Sequence, residues 1–323
     1  MIGRSGDMVR LIMTHIKKAF CFFILISMIT ASSLHAGNTS LIQTETITVF
    51  FDKTLKLTAQ EVLRIYPAVK RELEANLFWT VDFRPSIILV GNRDQFLQMS
   101  GHSAYVAYAV PEKYLIVVDY SRMNTRPFTL RATIKHELCH LLLHHHITKV
   151  HLPRWLDEGV AQWSSGGIAE IVAGKKESIH RWAASTGRFI RLDALSNHFP
   201  QNDRDLVLAY YQSKGIIEYI ITNYGKNGVL NILAAMKRGV DADKAISMSL
   251  MLSTDELEQQ WLKEERSWRR TFSYLAANIY TVIFILAALL TIALYLRAVI
   301  RKKRYKDEEI DEYPFDSISP KTK

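Results

Sequence analysis

Residues 275–296, LAANIYTVIFILAALLTIALYL, run for 22 positions without a charge. As a helix such a stretch rises about 33 Å, enough to cross the roughly 30 Å hydrocarbon layer of a bilayer. Inside that layer the backbone finds no water to bond, so a lone spanning segment must be helical. Arg297, Arg301, Lys302, Lys303, Arg304 and Lys306 follow, while Lys263, Arg266, Arg269 and Arg270 precede it. With basic residues on both flanks, orientation has to come from another signal.

That signal lies near the start. Residues 19–29, AFCFFILISMI, are apolar, preceded by Lys17 and Lys18 and followed by small polar residues. Eleven apolar positions are too few to span a bilayer but suit the core of a secretory signal, with cleavage expected after Ala36. The expected organisation is a signal peptide at 1–36, an exported domain at 37–270, a transmembrane helix at 275–296 and a basic cytoplasmic tail at 297–323. The chain would then cross the cell inner membrane once, with its main domain on the periplasmic side.

The net charge of +9 would favour a nucleic-acid partner if it sat on the exported part. Residues 1–36 and 275–323 carry +5 of it, however, and everything between carries only +4. No nucleic-acid partner is expected. A hydrophobic content of 48% excludes a disordered chain. Of the two cysteines, Cys21 falls in the signal segment, so Cys139 stands alone and the exported domain has no internal disulfide.

Along residues 37–270 the pattern changes once. Residues 45–51, 86–90, 104–110 and 114–119 read as strands, the last two joined by Pro111-Glu112-Lys113 as a hairpin. Val62, Leu63, Ile65, Val69, Leu73 and Leu77 form a helical stripe over 58–78. From residue 128 onward helices are predicted at 128–146, 155–164, 204–223, 228–238 and 254–270. Gly225 and Gly239 serve as stops, and Ser253 with Glu256 as a capping box. Strands first and helices afterwards predict an α+β fold.

His136-Glu137-Leu138-Cys139-His140 fits H-E-x-x-H inside the predicted helix 128–146. Positions i and i+4 share a helix face, so both imidazoles can reach one Zn²⁺, while Glu137 is offset and can serve as general base toward a water held there. A site with three protein ligands and one open position needs a third donor. Glu158, in Pro153-Arg154-Trp155-Leu156-Asp157-Glu158-Gly159, lies 18 positions after His140. His146 is the alternative by spacing, but the Gly that turns the chain in the longer three-histidine motif is replaced by Leu143. His144, His145, His146 and His151 otherwise read as a solvated helix end.

The pair H-E-x-x-H and W-L-D-E-G-V-A resembles the gluzincin metallopeptidases, and more narrowly the bacterial peptidase-MA-like domain, from about residue 86 to 265. The resemblance implies a zincin-like fold: a mixed-sheet N-terminal lobe with the active-site helix, then a mainly helical lobe. It implies one Zn²⁺ held by His136, His140 and Glu158, Glu137 as the catalytic base, and a peptide or protein substrate. An edge strand within 104–119 would hold that substrate by strand addition. Tyr210, or alternatively Tyr211, would stabilise the oxyanion, and Asp157 would support a ligating His. The implied activity is zinc-dependent peptide hydrolysis outside the cytoplasmic membrane. The alternative is an inactive zincin-fold binding or assembly protein of the envelope.

Overall fold

The computed structural model describes residues 39–101, 105–123, 128–166, 188–277 and 279–311. The expected signal peptide at 1–36 lies outside them. The chain divides into two compact units, the first ending at Trp261 and the second beginning at Leu262.

The first unit opens with five strands: β1 (Thr39–Gln43), β2 (Thr48–Asp52), β3 (Ser86–Val90), β4 (Ala107–Val110) and β5 (Leu115–Asp119). They form one sheet in the order β1-β2-β3-β5-β4. The three central strands are parallel and the two edge strands antiparallel to their neighbours. Central parallel strands are covered on both faces, which explains why SIILV and LIVVD are near-continuous apolar runs. The β4–β5 turn at Pro111–Lys113 forms as predicted, and β4 is an edge strand.

Helix α1 (Lys56–Leu77) buries Val62, Ile65, Tyr66, Val69, Leu73 and Leu77 along one side, facing β2 and the motif helix. A short helix absent from the sequence reading, α2 (Arg93–Ser100), starts at Asn92, whose side chain accepts from the Asp94 and Gln95 amides. Arg93 at its head donates to fully buried Asp119 and to the Tyr105 carbonyl, both at 2.7 Å. This ion pair ties the end of β5 to the approach of β4.

The remainder is helical. Helix α3 (Leu130–His146), capped by Thr129, is buried on nearly every side through residues 136–143, as expected of a helix inside a core. Helix α4 (Arg154–Ser165) packs on α3 and on the long α6 (Asp203–Lys237), with the short α5 (Ala194–Asn197) between them in sequence. Two helices were predicted where α6 runs. The structure agrees: Gly225 leaves helical geometry (φ 71°, ψ 170°), so α6 is two helices joined at a kink, with Ile216, Ile217 and Ile220 buried before it and Val229, Ile232 and Leu233 buried after it. Helix α7 (Ala242–Leu250), absent from the sequence reading, is capped by Asp241. Helix α8 (Thr254–Ala277) opens with the predicted capping box: the Ser253 amide donates to Glu256 at 2.7 Å and the Glu256 amide to Ser253 Oγ at 3.2 Å.

The second unit contains the end of α8 and then α9 (Ile279–Asp311). Its segment Ile283–Lys302 is 20 residues, long and apolar enough to cross a membrane. Phe284, Leu286, Leu290 and Ile300 are all more than half exposed, so α9 offers its apolar side chains outward.

Candidate metal centre

Two helices build the site. On α3, His136 and His140 sit one turn apart, 1% and 6% exposed. On α4, Glu158 lies in the second turn and is 2% exposed. His136 Nε2 and His140 Nε2 are 3.1 Å apart, and Glu158 Oε2 stands 3.6 Å from the first and 3.5 Å from the second. An ion with bonds of about 2.1 Å in tetrahedral directions spans about 3.4 Å between ligand atoms, and imidazole nitrogen with carboxylate oxygen is a donor set that zinc accepts. The three sides of this triangle therefore fit one zinc ion. Among the described residues this is the one group of His, Cys, Asp and Glu that could hold a metal.

The course of α3 separates the two candidate third donors. The helix continues unbroken past Leu143, and His146 Nε2 donates to the Thr80 carbonyl at 3.1 Å. It points away from the triangle, and Glu158 completes it. Of the neighbouring histidines read as a solvated helix end, His144, His145 and His146 are half-buried and hydrogen-bonded, while His151 is exposed. His144 Nε2 meets Asp157 at 3.0 Å, and His145 meets both Asp82 and the Tyr114 hydroxyl at 2.8 Å. His151 Nε2 donates to the Ser196 carbonyl at 3.0 Å. His144, His145 and His146 tie the end of α3, and His151 the connection after it, to other parts of the fold.

Asp157 supports His140: its Oδ1 is 2.7 Å from Nδ1, which fixes the tautomer and leaves Nε2 facing the triangle. Burial acts to raise the Asp157 carboxyl, but the His140 charge and the hydrogen bonds of His140 and His144 outweigh it and hold it far below the carboxylate range. Burial likewise disfavours a charged His140, yet Asp157 and Glu158 overbalance it and raise that imidazole well above its ordinary value. Cys139, inside the motif, is fully buried and its thiol is pushed up to about 12, chiefly by burial. A thiol held neutral in this way is neither ligand nor nucleophile.

Glu137 is fully buried on the same helix, one position from His136 and outside the triangle. Tyr210, on α6, is 1% exposed and its hydroxyl donates to Glu158 Oε1 at 3.3 Å. Tyr210, the first of the two tyrosines singled out in the sequence, thus has its hydroxyl on the cluster. Trp155 is core, 1% exposed. Sequence reasoning missed Arg154, whose guanidinium donates to Glu158 Oε1 at 3.0 Å; its i, i+4 spacing to Glu158 was the available signal.

A mixed sheet, a buried H-E-x-x-H helix and a glutamate returned from the next helix define the gluzincin type of metallopeptidase domain. Residues 96–267, just over half of the chain, match the Peptidase MA superfamily, and the chain belongs to it. No curated protein matches the sequence. Among solved structures it is similar to an M1 zinc metallopeptidase from Deinococcus radiodurans (14% identity, 70% of this chain and 50% of that one, TM-score 0.42). It is also similar to yeast LTA4 hydrolase (13%, 72% and 38%, TM-score 0.42) and to Legionella pneumophila aminopeptidase A (12%, 69% and 27%, TM-score 0.41). The chain spans half or less of the length of these three proteins.

Proposed function

We propose that this chain is a zinc-dependent metallopeptidase, tethered by α9 in the inner membrane, with residues 37–270 on the periplasmic side and 297–323 in the cytoplasm. The carrying observation is the His136–His140–Glu158 triangle, whose sides match the spacing of ligand atoms around one zinc ion. Bound there, zinc would supply Lewis acidity to a peptide carbonyl and lower the pKa of a water. Glu137 takes that water's proton and returns it to the leaving amine. Tyr210, whose hydroxyl rests on Glu158 Oε1, turns it to the oxyanion as the carbonyl becomes tetrahedral. Edge strand β4 offers its backbone to an extended substrate, which keeps the chain straight across the site.

The full-length protein in detergent is expected to cleave unfolded polypeptide, to stop when a zinc chelator is added, and to recover when zinc is returned. Cleavage that persists after the metal is stripped and measured as absent contradicts the proposal. For Tyr210→Phe the expected change is a fall in kcat of about 10²-fold or more with little change in KM, the pattern of a donor used only in the transition state. An unchanged kcat removes Tyr210 from this role.

A further inference from the structure

Oε2 is the oxygen of Glu158 nearest the imidazoles. Oε2 stands 3.6 Å from His136 Nε2 and 3.5 Å from His140 Nε2. Oε1 receives the Arg154 guanidinium at 3.0 Å and the Tyr210 hydroxyl at 3.3 Å. The terminal torsion of a glutamate is broad, so nothing intrinsic to the side chain prevents both oxygens from turning toward an ion.

Arg154 is itself held. It sits one turn before Glu158 on α4, and its guanidinium lies 5.3 Å over the Phe199 ring. Phe199, 8% exposed, meets Tyr210 edge-on with ring centroids 5.1 Å apart. Arg154, Phe199 and Tyr210 thus brace one another around the far side of a carboxylate that is only 2% exposed. Arginine suits this task better than lysine, since its planar fork stacks on a ring while donating sideways.

We propose that Arg154 is a positioning residue that engages one oxygen of Glu158, restricts this carboxylate to a single metal-binding oxygen and so keeps a coordination position open. The proposal rests on the reading of the triangle as a metal site. A carboxylate that binds through both oxygens fills the position a water or a substrate carbonyl needs in a three-ligand site.

Arg154 touches Glu158 from a partly exposed position, its side chain 39% accessible, so replacing it leaves the core packing in place. The test compares full-length wild type, Arg154→Met and Arg154→Lys, each loaded with Co²⁺ as a spectroscopic substitute for zinc. Two quantities are read: affinity against a competing chelator, and the intensity of the visible Co²⁺ absorption, which weakens as coordination number rises. Arg154→Met is expected to bind about 10–100-fold more weakly, with a weaker visible band. Arg154→Lys is expected to recover most of both, because an ammonium still supplies charge and a donor. Phe199→Leu, which removes only the brace, gives a smaller loss in the same direction and decides the matter if Arg154→Met does not fold. Wild-type affinity and band intensity in Arg154→Met overturn the proposal. A wild type that takes up no metal overturns both this proposal and the metal-site reading. A wild type that binds metal and shows the Arg154 effect yet cleaves nothing upholds the positioning role and sinks only the peptidase activity.

Discussion

Glu137→Gln is expected to lower peptide hydrolysis by about 10³-fold or more while zinc content stays near that of the wild type. The substitution keeps the size and polarity of the side chain and removes only its capacity to take a proton. Glu137 is fully buried on α3, adjacent to His136, and is not one of the three donors that form the triangle. Metal retention and loss of turnover therefore separate cleanly. Metal analysis alongside initial rates checks the outcome. Retained hydrolysis refutes the general-base role, and zinc lost together with activity shows that Glu137 acts in holding the site instead.

The second large effect concerns the fold. A Cβ added at Gly159 would lie 2.4 Å from the Ser213 carbonyl oxygen and 2.6 Å from Ile217 Cγ1, both on α6. The first is backbone and cannot swing aside, so α4 and α6 must separate. Overpacking of this kind costs about 1–3 kcal/mol and occasionally more. Gly159→Ala is therefore expected to lower Tm by about 5–10 °C in a domain of this size. Glu158 and Asp157 immediately precede Gly159, so zinc affinity falls with it. Gly215→Ala is the milder comparison: the three atoms nearest its Cβ belong to the Trp261 ring at 3.2–3.4 Å, a tight contact but without the backbone overlap met at Gly159. Calorimetric melting of both variants decides the point, and a Gly159→Ala protein that melts with the wild type refutes the close approach.

The glycine in W-L-D-E-G-V-A thus has a packing reason that sequence spacing does not reveal. Much else was legible. The strands SIILV and LIVVD, the helix carrying H-E-x-x-H, the turn at Pro111–Lys113 and the Ser253–Glu256 box all carry local signals strong enough to read. Two of the elements that escaped lack a stripe, while α7, with Ala245, Ile246 and Leu250 buried, carries only a short one. Helix α2 buries a single residue, Phe96, and β1 alternates between exposed and half-buried positions, leaving no apolar pattern to find. At Gly225 the local signal and the inference from it both held: the backbone leaves helical geometry there, and buried side chains on each side anchor the two helical halves of α6.

The candidate site divides in the same way. His136, His140 and Glu158 are named by motif and spacing, and the structure brings them together. The fates of the other histidines depend on partners remote in sequence. His146 finds Thr80, His145 finds Asp82 and Tyr114, and His151 finds Ser196. Only the packing of α3 against the chain around it creates those pairs. The same holds for the bracing of Arg154 by Phe199, which lies 45 positions further along and whose arrival depends on α6 folding over α4.

The account stands or falls on whether His136, His140 and Glu158 together hold zinc. The decisive measurement is the metal content of the purified full-length chain, wild type against Glu158→Ala, after dialysis against a weak chelator. About one zinc ion per wild-type chain is predicted, falling below roughly a tenth of that in Glu158→Ala as the three-ligand site loses a donor. A Glu158→Ala chain that keeps the wild-type zinc content, or a folded wild type that holds none, contradicts it.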